Sequence, residues 1–166
     1  MHAIAMLERQ HEHLSELLHE FKESTPGDER ASTFKTLQRA FLVHMLLEEE
    51  IFYPTVVNNT PEGRPFAEGY EEHAETRMAI RRCARSMNEE DLFQFRVGIL
   101  EESLSQHVNG ERKSMFFAAC EIFDSTEFEV IGQTMASLVE RIEHASSANI
   151  DLDISSTARE LRAQDA

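Results

Sequence analysis

HMLLEEEIFYP (44–54) and HVNGERKSMFF (107–117) each open with a histidine that is followed four residues later by a glutamate: His44 with Glu48, and His107 with Glu111. Residues four apart lie one above the other on a single face of an α-helix, so each pair aims an imidazole and a carboxylate into the same space. Outward from these stretches the apolar residues keep a helical period. Ile4, Leu7, Leu14, Leu18 and Phe21 share a stripe with His11, and TPGDE (25–29) closes that helix. Phe34, Leu37, Phe41, His44, Glu48 and Ile51 form the next stripe, expected to fray near Pro54, which cannot donate the helical hydrogen bond. After the loop NNTPEGRP (58–65), with its Thr-Pro helix-start signal, a third stripe carries Phe66, Tyr70, His73, Ile80, Ala84 and Met87. Asn88 reads as the N-cap of a fourth helix, with Glu89, Glu90 and Asp91 in its first turn, and Phe93, Leu100, Leu104, His107, Glu111 and Met115 along one side. Asp124 or Ser125 caps a fifth helix over 127–145, and a polar tail follows from Ser146, with at most a short helix near its end.

No segment alternates as a strand does. The chain is therefore expected to be all-α, an antiparallel up-down-up-down four-helix bundle with an additional C-terminal helix, residues 1–145 forming the bundle domain and 146–166 the tail. The two halves repeat. His11 precedes His44 by 33 positions and His73 precedes His107 by 34, so His-…-His-x-x-x-Glu occurs twice. In an antiparallel pair, residues equidistant from the turn sit at one level. The midpoint of His11 and His44 falls in TPGDE, that of Glu48 and His73 in NNTPEG, and that of His73 and His107 at Glu90, beside the Asn88 cap. Pro, Gly and capping residues alone mark these turns, yet the turns bring four histidines and two glutamates to one layer.

The charge balance excludes other function classes. With 31 acidic and 16 basic residues among 166, the net charge is −15, which opposes binding to nucleic acid or anionic membrane through bulk charge. No apolar run approaches the roughly 18 residues of a membrane span, and MHAIAMLERQ lacks the pattern of a secretory leader. Two cysteines, Cys83 and Cys120, fit a reducing cytosol, hence a cytoplasmic expectation.

Burying six such groups with no partner would cost several kcal/mol each, of order 2–7 for polar groups and more for charges. A cation at their centre removes that penalty. Six ligands exceed the four of a structural zinc site, and mixed nitrogen and oxygen donors suit iron or manganese. The symmetric assignment gives His11 and His44 to one ion and His73 and His107 to the other, bridged by Glu48, Glu111 and an oxo, hydroxo or water ligand. A position stays open for a small exogenous ligand. The remaining candidates have ordinary readings. His13 lies on another face from His11, and His2, His19 and His144 have no counterpart in the repeat. Tyr70, one turn before His73, is expected to pack in the core rather than orient the ligand. Met45, Met78, Met87 and Met115 are expected in the core, as are Cys83 and Cys120. Glu49 and Glu50 extend an acidic surface run, either able to replace Glu48 were the helix rotated. Asn109-Gly110 before Glu111 reads as a tolerated weak spot in the helix, with a local bulge as the alternative.

Through QHEHLSELL (10–18), HMLLEEEIFYP, EHAETRMAI (72–80) and HVNGERKSMFF, the chain strongly resembles the hemerythrin-like, or HHE cation-binding, family over roughly residues 3–123. The resemblance implies a non-heme di-iron centre that meets dioxygen, nitric oxide or peroxide, with His11, His44, Glu48, His73, His107 and Glu111 at the ligand positions. Oxygen-carrying hemerythrins have a further histidine where this chain has Arg77. The six-ligand pattern looks more like bacterial hemerythrin-like proteins linked to nitric oxide or peroxide stress. The expected function is thus binding or sensing of O2, NO or a related oxidant. The alternative is a di-iron enzyme that turns over peroxide or NO, or repairs iron–sulfur centres.

Overall fold

A computed structural model describes residues 1–60 and 64–147, and among them every regular element is helical. The order is α1 (Ala3–Glu23), α2 (Asp28–Leu47), a π-helical turn (Glu48–Phe52), α3 (Tyr53–Val57), α4 (Arg64–Ala84), α5 (Glu90–Gly110), a second π-helical turn (Glu111–Met115), α6 (Phe116–Cys120) and α7 (Ser125–Ser147). Each π turn runs without a break from the helix before it into the helix after it, so α1, α2–α3, α4 and α5–α6 are the four rods of an antiparallel bundle. The first connection turns at Gly27, whose φ of 112° lies in the region that favours glycine. The tail beyond residue 147 and the Pro61 helix-start signal lie outside the described residues.

Two apolar clusters fill the bundle on either side of the histidine layer. Toward the Gly27 turn are Leu14, Leu18, Phe21, Phe34, Leu37, Phe41, Ile80, Phe93 and Val97. At the other end are Leu7, Leu46, Phe52, Tyr53, Phe66 and Phe116, covered by Phe128, Ile131, Met135 and Ile142 of α7. The fifth helix therefore packs outside the bundle, across α1 and α2. Asp124 caps it reciprocally: the Glu127 N–H donates to Asp124 Oδ1 at 2.9 Å, and the Asp124 N–H to Glu127 Oε2 at 2.9 Å. At Gly132 the first residues pack so closely against α7 that an added Cβ would collide with the Met1 carbonyl oxygen.

Several expectations are corrected. The second rod does not fray at Pro54: the π turn ends at Phe52 and the helix runs on through Pro54 in α3, with the Tyr70 hydroxyl donating to the Glu49 carbonyl at 3.2 Å. The N-cap of α5 is Glu89 rather than Asn88. The helix does bulge after Gly110, with a full π turn from Glu111. Cys120 and Met78 are exposed, whereas Cys83, Met45 and Met115 are buried as expected.

At the turn end of the bundle, Arg30 is buried and joins three helix termini. It donates to the Ser24 carbonyl at 2.7 Å, to the Met87 carbonyl at 2.9 Å and to Glu90 at 3.0 Å, with its guanidinium 3.7 Å above the Phe93 ring.

Candidate metal centre

His11 of α1, His44 of α2, His73 of α4 and His107 of α5 meet with Glu48 and Glu111 in the bundle interior, and none of the six is more than 3% exposed. The rings pair as the repeat implies, His11 with His44 at 4.7 Å and His73 with His107 at 4.8 Å between centroids. Across the pairs His44 and His107 bring their Nε2 atoms to 3.3 Å. Glu48 reaches all four histidines: Oε1 lies 3.3 Å from His44 and 3.8 Å from His11, and Oε2 lies 3.0 Å from His73 and 3.5 Å from His107. Glu111 Oε2 lies 3.2 Å from His11 and 3.8 Å from His107. His13 and His19 are exposed, away from this cluster.

The donor atoms point to a cation. His11 Nε2, His73 Nε2, Glu48 Oε1 and Glu111 Oε2 are buried without a hydrogen-bond partner. Ligand atoms of His11, His44, Glu48 and His107 lie within 4.8 Å of one another. Native proteins rarely leave buried polar atoms unsatisfied, and several in one place fit a group that binds lone pairs. Imidazole and carboxylate donors suit a first-row transition metal.

The protonation pattern without an ion has the same cause. Burial alone would lower the histidines, yet the Glu111 and Glu48 carboxylates raise His11 to about 9, and Glu48 with Glu72 raises His107 to about 11. His44 goes the other way, because burial and its three cationic neighbours outweigh Glu48. Burial also works against charge on Glu48, but the four imidazoles hold its carboxyl well below the usual range. Burial and repulsion from Glu48 push Glu111 up.

Behind these six stands a second set, which the sequence reading missed. The Tyr53 hydroxyl, fully buried, faces Glu48 Oε2 at 3.1 Å and Glu111 Oε1 at 3.0 Å, and its ring stacks on His73 at 5.7 Å. Burial and the two carboxylates keep it a phenol. Glu49 is not a surface residue: its Oε1 lies 2.8 Å from His73 Nδ1 and 2.7 Å from Arg77. Glu72 Oε2 lies 3.1 Å from His107 Nδ1, and Gln10 Oε1 lies 3.3 Å from His44 Nδ1. Tyr70 is not in the core. It is 39% exposed and donates to the Glu49 carbonyl at 3.2 Å, the oxygen that Pro54 has no N–H to serve. Gln10 and Glu72 were legible in principle, since each immediately precedes a histidine of the cluster at corresponding places of the repeat. Tyr53 was not, because a residue five after Glu48 leaves its face in an α-helix and returns only in a π turn. From outside, a groove of about 650 Å³ between α1 and α5 reaches His11 past Leu104, Val108 and Arg112.

Comparison with known proteins agrees with this geometry. The family model of the hemerythrin HHE cation binding domain matches residues 2–119. No curated protein matches the chain. Among solved structures, the fold is similar to that of a hemerythrin HHE cation binding domain-containing protein from Mycobacterium kansasii, the Rv2633c homolog. The TM-score is 0.79 at 20% identity, covering 94% of this chain and 96% of that one.

Proposed function

The chain belongs to the hemerythrin HHE cation-binding family, and from that premise we propose that it is a non-heme di-iron protein that binds or senses dioxygen, nitric oxide or a related oxidant. The observation that carries this reading is the set of buried, unpartnered nitrogen and oxygen atoms converging from all four rods. His11 and His44 would hold one iron and His73 and His107 the other, with Glu48 and Glu111 between them, as the ring pairing supports. When bound, such an iron pair supplies redox-active, Lewis-acidic positions for a small ligand. The chain supplies the rest. Gln10, Glu49 and Glu72 orient three of the imidazoles, the apolar clusters on both sides exclude water, and Tyr53 keeps a proton at its hydroxyl between the two carboxylates. Among the described residues no helix is long and apolar enough to cross a membrane.

The test is metal content and an optical spectrum of protein purified without added metal, followed by anaerobic reduction and exposure to O2 or NO. Close to two irons per chain and a spectrum that responds to the gas are expected. A folded protein that holds no iron, or whose spectrum ignores both gases, would refute the reading. The same exposure separates this reading from the alternative of a centre that turns over peroxide or NO. A stable, reversible adduct supports binding, and repeated turnovers per chain support the enzyme.

A further inference from the structure

The repeat relates α1 to α4 by 62 positions and α2–α3 to α5–α6 by 63, so every residue around the centre has a counterpart. Gln10 corresponds to Glu72, and both reach the Nδ1 of the neighbouring rod's histidine, one as a neutral amide and the other as a carboxylate. Glu49 corresponds to Arg112. Glu49 accepts from His73 Nδ1, while Arg112 has no acceptor to offer and is bound to Glu8 at 2.9 and 3.0 Å. His11 Nδ1 is accordingly buried with no partner. Tyr53 corresponds to Phe116: both rings stack on an imidazole, His73 and His11 respectively, but only Tyr53 carries a hydroxyl.

These differences act on metal affinity. A histidine that ligates through Nε2 must keep its proton on Nδ1, and a carboxylate accepting that proton fixes the ring and makes it a stronger donor. Removing such a partner typically costs 10–100-fold in affinity. The His73/His107 pair has two carboxylate acceptors, one of them shared with Arg77. The His11/His44 pair has one amide, and His11 would carry its Nδ1 proton into a buried place without an acceptor. We infer that the two ions bind in order, first at His73/His107 and second at His11/His44, with dissociation constants at least tenfold apart, so that a one-ion form persists when metal is scarce. This inference rests on the di-metal reading above.

Native mass spectrometry of the chelator-stripped chain titrated with cobalt(II) tests it. At one equivalent the one-ion species should dominate. Glu72→Gln should weaken the first ion about 10–100-fold, and Gln10→Glu should tighten the second about tenfold while leaving the first unchanged. Glu72 and Gln10 are both partly exposed, and circular dichroism verifies that the variants fold. Filling of both positions in one statistical step, or Gln10→Glu acting on the first ion, would overturn the order while leaving the di-metal reading intact. A folded wild-type chain that takes up no ion would overturn both.

Discussion

Tyr53→Phe removes one oxygen from the interior and nothing else, so its consequence can be worked from the contacts. The hydroxyl is fully buried, 3.1 Å from Glu48 Oε2 and 3.0 Å from Glu111 Oε1, and its single proton is shared between two acceptors. The ring keeps its stack on His73 and its edge contacts with Phe66 and Tyr70, so no cavity larger than the lost oxygen opens. What changes is that two buried carboxylate oxygens lose their donor. A hydrogen bond to a charged group contributes roughly 1.5–3 kcal/mol, and an unsatisfied buried partner costs about the same again in desolvation. Because one proton serves both oxygens, about 2 kcal/mol is expected for the metal-free chain, a fall in Tm of roughly 4–8 °C at this size. A bound cation gives those oxygens another positive partner, so the loaded chain should lose no more than about half as much. Thermal melts of wild type and variant, each with chelator and with metal, provide the four values. An unchanged metal-free Tm, or a larger loss in the loaded form, would show that Tyr53 does not serve the carboxylates as described.

His44→Ala or Glu48→Ala should sharply lower bound iron measured by plasma emission, whereas His19→Ala, an exposed change on α1, should leave it unaltered; equal iron in all three would mean the face assignment is wrong. Arg30→Met leaves the Ser24 and Met87 carbonyls without their donor and should cost about 3 kcal/mol in urea unfolding with no loss of metal per folded chain. In the metal-free chain, carboxylate neighbours raise His11 to about 9 and His107 to about 11 from 6.5. A folded value above the unfolded one gives stabilisation that is whole below pH 6.5 and is lost as pH rises through 9 toward 11. The Tm of chelated protein should therefore fall between pH 7 and 10, and a flat profile would contradict the carboxylate–imidazole contacts.

What was legible in the sequence was whatever rests on local spacing. Four stripes, three turns and the equal heights of His11, His44, His73 and His107 follow from helical period and from Pro, Gly and capping residues. The structure keeps all four histidines in one layer between two apolar clusters. What was not legible depends on other rods. Glu49 looked like part of an acidic surface run, and only the approach of α4 gives it His73 and Arg77. Arg30 sits in the first turn of a helix, an ordinary place for a solvated charge, and is buried because the ends of α1 and α4 and the start of α5 close over it.

The π turns show where local reading fails in a more instructive way. Asn109-Gly110 drew attention because glycine weakens a helix, and a π turn does begin at the next residue. Yet glycine is not its cause. Gly110 has ordinary helical angles, and an added Cβ would meet nothing closer than Glu72 Oε1 at 3.8 Å. Its counterpart 63 positions earlier is Leu47, and an identical π turn begins after it, at Glu48. What the two turns share is a buried glutamate at the start and an aromatic residue five positions on, whose N–H closes the wide ring onto the glutamate's carbonyl: Tyr53 onto Glu48, and Phe116 onto Glu111. In a regular helix that aromatic would leave the glutamate's face. The extra residue of the π turn returns it there, and each ring then stacks on the histidine of a facing rod. The bulge is therefore a property of the site. It lets one rod present histidine, glutamate and aromatic to the same centre over little more than two turns, and Gly110 happens to stand beside one of two equivalent bends.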